Sequence, residues 1–228
     1  DLVRWGPLSP YELQNRFAFM VSKRQAEDFR ARLAAGEKIV LSARVDAKMV
    51  PATYDVVVAT IPGTDPASGE VVLTAHLCHQ SAGANDNASG VATLLAVASR
   101  VSASRPAHSV VFAALDAAES GLNGARAFLA DPPVPREAIV MNVNLDMVGR
   151  DAKNVLFASG TFHYPFLKAY LKDVARPPVV LRLGHDAPNV KGEDDWTRDS
   201  DHYPFHQAGI PFIYFGVEDE AQHHKATD

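Results

Sequence analysis

The sequence predicts an α/β fold of three layers, αβα, around a central mixed, mostly parallel sheet. Apolar, strand-like runs alternate with segments of helical period along most of the chain, which is the pattern of a sheet covered on both faces. Runs such as "HSVVFAALD" (108–116) are apolar almost throughout, as a strand buried on both sides must be. The 228 residues, 47% apolar and 21% charged, suffice for one large domain with its own core, or one domain plus a fragment.

The elements follow in order. "AFMVSKRQAEDFRARLAAGEKIVLSARV" (18–45) reads as a short strand, a helix and a strand, with Ser22 and Gln25 forming a capping box and Gly36 stopping the helix. "TYDVVVATIPGTDPASGEVVLTAHL" (53–77) reads as two strands around a Pro/Gly/Asp turn. Residues 88–104 have helical period, with apolar positions at 91, 94, 95 and 98. A buried strand (108–116), a short helix (124–130) and a strand (138–149) come next. Strand, helix and strand over 155–159, 162–175 and 179–183 precede a short helix (200–209) and a last strand (210–217).

Composition excludes some functions. The formal charge is 22 − 27 = −5, and no basic run is dense enough to suggest nucleic-acid binding. No apolar stretch approaches the roughly 20 residues that span a membrane. Cys78 is the one cysteine, so no intrachain disulfide forms, which leaves the compartment open. The chain begins "DLVRWGPLSP" and ends "HHKATD", and the reading expects a processed or excised piece of a protein that continues at both ends.

In open parallel sheets, sites form beyond the carboxyl ends of the strands. The polar residues collect there: His76 ends one strand, Asp116 and Glu119 follow another, Asp146 closes a third, and His223 and His224 follow the last. Each has a plain alternative. His76 alone reads as a hydrogen-bonded structural histidine, Glu119 as a solvated turn residue and His224 as a surface residue. Asp86 in "GANDNASGV" could cap a helix, as could Asn87 or Ser89. Asp146, flanked by apolar residues, needs a partner charge or a metal if buried. Taken together, two imidazoles and three carboxylates suit Zn²⁺. Five ligands are too many for one tetrahedral zinc and suit two, bridged by a carboxylate at roughly 3.5–4 Å.

At these residues the sequence resembles the co-catalytic dizinc aminopeptidases, which include bacterial secreted leucine aminopeptidases and the peptidase domain of glutamate carboxypeptidase II. The matching pieces are "TAHLCH", "GANDNASGV", "AAESGLNGA", "NLDMVGR", "SDHYPF" and "HHKATD", in the family's order over about residues 54–228. The resemblance implies a zinc-peptidase fold over 51–228 and two zinc ions. Asp86 would bridge them, with His76 and Asp146 completing one site and Glu119 and His224 the other. It implies an aminopeptidase in which water or hydroxide between the metals attacks a peptide with a free N-terminus. Residues 1–50 are similar to the last strand, helix and strand of a protease-associated domain, which some members carry before the catalytic core. The resemblance places the protein in a secreted or periplasmic setting.

Two positions depart from the family pattern. Where it has Glu-Glu, this chain has Ala118-Glu119. The register of "ESGLNGA" makes Glu119 the ligand and puts Ala118 at the position of the general base, so metal binding should survive and turnover should largely be lost. An engineered Glu→Ala change is the favoured explanation; a naturally non-catalytic member, or one using Asp116 as surrogate base, are the alternatives. Cys78 stands where the family has an Asp that orients the ligand imidazole.

Substrate contacts are sought among Asp199, Asp201, Asp151, Tyr214 and Phe215. The long polar segment 184–201 is of the kind that borders active sites, and its Trp196 either lines the side-chain pocket or packs the loop down. A glutaminyl cyclase with one zinc is the runner-up. A carboxypeptidase, using Arg150 or Arg198 as carboxylate clamp, and a binding protein of the same fold complete the alternatives.

Overall fold

Residues 19–46, 51, 53–80, 82–172, 174, 177–219 and 221–228 are described by a computed structural model. The opening segment "DLVRWGPLSP" lies outside them. The chain divides into two compact units, Asp1–Thr53 and Tyr54–Asp228.

In the first unit, helix α1 spans Lys23–Ala34. Ser22 Oγ accepts the Gln25 amide at 3.3 Å and Gln25 Oε1 accepts the Ser22 amide at 3.2 Å, so the capping box forms. Gly36 follows at φ +81°, a left-handed stop suited to glycine. The strands expected on either side do not form among the described residues. Strand propensity alone makes no ladder; the backbone groups need a neighbouring strand, and none flanks them among the described residues.

In the second unit the elements are β1 (Val57–Ile61), β2 (Glu70–His76), α2 (Ser89–Ala103), β3 (Ser109–Leu115), α3 (Asn123–Ala130), β4 (Ile139–Leu145), β5 (Val155–Ser159), α4 (Lys168–Leu171), β6 (Val180–Leu183), α5 (His202–Gln207) and β7 (Phe212–Gly216). One seven-stranded sheet runs in the order β1-β3-β2-β4-β7-β5-β6. The neighbours β3, β2, β4 and β7 are mutually parallel. β1 is antiparallel to β3, β5 is antiparallel to β7, and β6 is parallel to β5.

Alternation along the strands sorts the apolar side chains onto two faces. Leu73, Ala75, Val110, Phe112 and Leu145 pack with Leu94 of α2. Val72, Val111, Ala113, Leu115 and Ile139 pack on the other side with Ala125, Phe128 and Leu129 of α3 and Phe205 of α5. The result is the three-layer mixed sheet the sequence predicts. The helix expected over 162–175 is shorter: a 3₁₀ turn at Pro165–Leu167 leads into α4, which ends at Leu171. The start of that segment is held instead by Asp186, whose Oδ2 accepts the amides of Gly160 at 2.7 Å and Phe162 at 2.9 Å.

Because four adjacent strands are parallel, their carboxyl ends share one edge. Strand β4 ends sooner than the sequence predicts, since Met147 turns the chain at φ +57° immediately after Asp146. His76, Asp116–Glu119, Asp146 and the segment after β7 therefore meet at that edge.

Candidate metal centre

The inner part of the centre is built on strand ends. His76 is the last residue of β2 and Asp146 follows β4, its neighbour in the sheet. His76 Nε2 lies 3.1 Å from Asp86 Oδ1 and 3.2 Å from Asp146 Oδ1, and all three residues are buried. His76 Nδ1 lies 2.8 Å from the Cys78 carbonyl. A carbonyl can only accept, so Nδ1 carries a proton; Nε2 faces the two carboxylates and is the nitrogen left to ligate a metal.

Asp86 sits in the loop before α2, between two asparagines that fasten it. Asn87 Nδ2 donates to the Leu145 carbonyl at 2.9 Å, and Asn87 Oδ1 accepts the amides of Gly90 and Met147 at 2.9 and 3.1 Å. Asn85 Oδ1 accepts the Gly149 amide at 3.0 Å. The helix-capping role weighed for Asp86 thus falls to Asn87. At Gly90 a Cβ would stand 2.3 Å from the Leu145 carbonyl oxygen, so only glycine admits this approach of helix to strand.

The outer part rests on turns. Asp86 Oδ2 faces His224 Nε2 at 3.1 Å and His223 Nε2 at 3.3 Å, and Glu119 Oε1 lies 3.1 Å from His224 Nε2. Gln80 Nε2 donates to the other Glu119 oxygen at 2.9 Å. The "HHKATD" segment is tied back where Asp228 Oδ1 accepts the Asn85 amide at 3.2 Å. Asp86 thus gives one oxygen to each cluster.

Electrostatics follow this geometry. Burial disfavours a charged His76, but Asp146 and Asp86 outweigh it and raise the imidazole pKa well above its usual value. Burial likewise works against the Asp86 carboxylate, while hydrogen bonds from His223 and His76 hold its pKa low. Glu119 is raised by burial and then by the charge of Asp86. Without a cation the carboxylates lean on imidazoles that would otherwise be free to ligate.

A row of buried polar side chains stands behind Asp146. Asn142 Nδ2 donates to Thr74 Oγ1 at 3.0 Å, Thr74 Oγ1 to Asn144 Oδ1 at 2.7 Å, Asn144 Nδ2 to Ser200 Oγ at 2.8 Å, and Ser200 Oγ to Asp146 Oδ2 at 2.6 Å. Every donor points toward the carboxylate, whose other oxygen faces His76 Nε2 at 3.2 Å. Ser200, Gln80 and His223's contact with Asp86 were missed in the sequence. The asparagines had a visible signal, since 142, 144 and 146 share one face of a strand.

Several expectations are corrected. Asp116 is no surrogate base: its oxygens accept the amides of Ala117 at 2.7 Å and Asp55 at 3.4 Å, which makes it a turn residue. Cys78 meets His76 Nδ1 chiefly through its carbonyl, at 2.8 Å, with Sγ farther away at 3.8 Å, while Sγ also accepts the Ala118 amide at 3.1 Å. Asp151 is a turn residue, accepting the amides of Lys153 and Val155 at 2.8 and 2.7 Å. Phe215 packs in the core. Asp201 is fully buried with both oxygens unpartnered, and burial pushes its pKa up to about 7. Arg150 is bound to Asp219, and Arg198 lies over the Tyr203 ring at 5.8 Å.

Both clusters open into a cavity of about 370 Å³. Ala118, Trp196, Asp199 and Tyr214 also line it, and no lysine or arginine does so among the described residues. Trp196 lines this cavity and also stacks on His185 at 3.6 Å. The donor set fits zinc. His76–Asp86–Asp146 and Asp86–His223–His224 each offer imidazole and carboxylate atoms within 4.8 Å of one another.

Comparison with known proteins gives a consistent picture. The profile of peptidase family M28 matches residues 56–228. The vacuolar membrane protease of Meyerozyma guilliermondii is 30% identical over 178 residues, 75% of this chain and 17% of that protein. The aminopeptidase from Aneurinibacillus sp. strain AM-1 superposes with a TM-score of 0.66 at 25% identity, covering 90% of this chain and 50% of that one. A zinc aminopeptidase from Bacillus subtilis gives 0.60 at 24% identity, covering 76% and 44%. A Bacteroides thetaiotaomicron glutaminyl cyclase gives 0.58 at 20% identity, covering 76% and 69%. The chain therefore spans under a fifth of its curated relative and about half of the aminopeptidases.

Proposed function

Because the chain belongs to peptidase family M28, we propose that it is the catalytic part of a two-zinc aminopeptidase acting on peptides with a free N-terminus. His76 and Asp146 would hold one ion, Glu119 and His224 the other, and Asp86 both. The observation that carries this reading is the division of Asp86: one oxygen faces the inner imidazole and the other the outer pair. Zinc, when bound, polarises the scissile carbonyl and lowers the pKa of water to about 7.

The chain's own residues hold the rest of the geometry. The Cys78 carbonyl engages His76 Nδ1 and leaves Nε2 as the ligating nitrogen, and the row ending in Ser200 holds one Asp146 oxygen in place. Ala118 lines the cavity beside Glu119 and offers no group to take or return a proton. On the resemblance of the first fifty residues we also infer a protease-associated element there, although the two strands expected around its helix do not form among the described residues, and on the family resemblance a secreted or periplasmic setting.

The test is to restore a carboxylate at position 118. Ala118→Glu should raise turnover of aminoacyl chromogenic amides by about 10²–10⁴ with zinc content unchanged. Parent activity equal to that of the variant would mean that another group does this work and that the assignment of position 118 is wrong. The glutaminyl cyclase reading has a structural likeness in its favour. It predicts one zinc per chain, so metal stoichiometry decides between them. The carboxypeptidase reading loses support, because Arg150 is engaged by Asp219 and neither it nor Arg198 lines the cavity.

A further inference from the structure

We propose that Arg150 is a positioning residue for the outer metal: it holds closed the loop that carries His223 and His224, and it does so from the inner half of the centre. The inference rests on the two-zinc reading above and concerns how the second ion is held.

The inner half sets where Arg150 starts. Three amides after Asp146 donate into the loop of Asp86: Met147 to Asn87 Oδ1 at 3.1 Å, Val148 to Ser89 Oγ at 3.0 Å and Gly149 to Asn85 Oδ1 at 3.0 Å. At Gly149 a Cβ would stand 2.7 Å from the Ser89 Cβ, so glycine is what lets the two segments meet this closely. Arg150 is the next residue and leaves from a fixed point.

Its side chain reaches both ends of the ligand loop. Nε and Nη2 donate to Asp219 Oδ2, Nε at 3.0 Å. Nη2 also stands 3.6 Å from Asp228 Oδ1, and Nη1 donates to the Thr227 carbonyl at 3.5 Å. The side chains of Asp219 and Asp228 are only 10 and 2% exposed. Carboxylates withdrawn from water need a partner charge. Among the described residues, Arg150 is the only lysine or arginine paired with either. Asn85, the neighbour of Asp86, completes the clamp: Nδ2 donates to Asp219 Oδ2 at 3.1 Å and its amide to Asp228 Oδ1 at 3.2 Å.

Asp219 is also where the ligand turn begins. Its carbonyl accepts the amides of Gln222 at 3.3 Å and His223 at 3.0 Å, so a shift of Asp219 shifts the His223–His224 pair that faces Asp86. Arg150 does not line the cavity, so it acts on the metal through these two aspartates. Without the guanidinium, two nearly buried like charges would be left to push the ends of the loop apart. The planar guanidinium donates in several directions at once, which the single nitrogen of a lysine cannot reproduce. The clamp sets where the loop stands and leaves the final aim of the exposed rings to the metal.

Zinc dissociation constants, measured by competition with a chelator, test this without turnover. The outer constant is the one that His224→Ala abolishes. Arg150→Ala should weaken the outer zinc by about 10–100-fold and leave the inner zinc within about three-fold. Asp219→Asn, which keeps the shape of the side chain, should act in the same direction. The double variant should be no more than about three-fold weaker than the weaker single one, because both remove the same contact. An outer constant unchanged in Arg150→Ala overturns the inference. Losses that multiply in the double variant also overturn it, since the two residues would then act separately. So does an equal fall in both constants, which would make the arginine a support of the fold at large. A parent chain that binds a single zinc breaks the two-zinc reading itself, and the inference falls with it.

Discussion

The inner and outer halves of the metal centre are built from different material. His76, Asp86 and Asp146 are 4, 3 and 7% exposed and stand on strand ends or on a loop fastened by two asparagines. The side chains of His223 and His224 are 43 and 31% exposed and come from a turn near the chain's end. Inside, each ligand atom is aimed by a second contact: a carbonyl behind His76 and a hydroxyl behind Asp146. Outside, Glu119 is steadied by the exposed Gln80 amide. The difference teaches that the inner cluster is preorganised by the sheet, while on the two-zinc reading the outer one would be completed largely by its metal.

The largest expected effect falls on the residue both halves share. Asp86→Ala should abolish zinc retention at both positions, and His224→Ala should lose one ion and keep the other, as metal analysis after dialysis would show. If His224→Ala also empties the inner position, the two halves are one cooperative site and the contrast between them is wrong.

The inner half was also the more legible in the sequence. His76 and Asp146 could be placed because parallel strands put their ends on one edge, a consequence of period and strand order. Asn142 and Asn144 alternate with apolar residues on the strand that leads to Asp146, so their shared face was readable. Ser200 was not, since it reaches Asp146 across 54 residues and nothing in local spacing encodes that contact. The role of His223 was hidden because the resemblance assigns His224 alone. The strands expected around α1 show the complementary limit. The segments were read as strands from local preference and form none, because a ladder depends on a neighbour that the segment itself does not specify.

A smaller effect sharpens the contrast. Ser200→Ala removes the last donor of the buried row and leaves one Asp146 oxygen without its partner. Loss of such a supporting contact lowers metal affinity by about 10–100-fold. The loss should appear in the tighter of two zinc dissociation constants, measured by competition with a chelator, and the weaker should stay within about three-fold. An equal fall in both would show that the buried row supports the whole centre.

The smallest effect concerns Cys78, and here the structure and the sequence disagree most usefully. If the thiol stood in for an orienting carboxylate, Cys78→Ala would release the His76 ring and weaken the inner zinc as much as Ser200→Ala does. The geometry argues otherwise. The Cys78 carbonyl lies 2.8 Å from His76 Nδ1, whereas Sγ lies 3.8 Å away and accepts the Ala118 amide at 3.1 Å. A main-chain group survives any side-chain substitution. Cys78→Ala should therefore cost about 1 kcal/mol of stability for the released amide, read from the urea midpoint, and change inner zinc affinity by less than about three-fold. A ten-fold loss of affinity would make the thiol the orienting group after all, and the inner half would then owe its order to a side chain the sheet does not dictate.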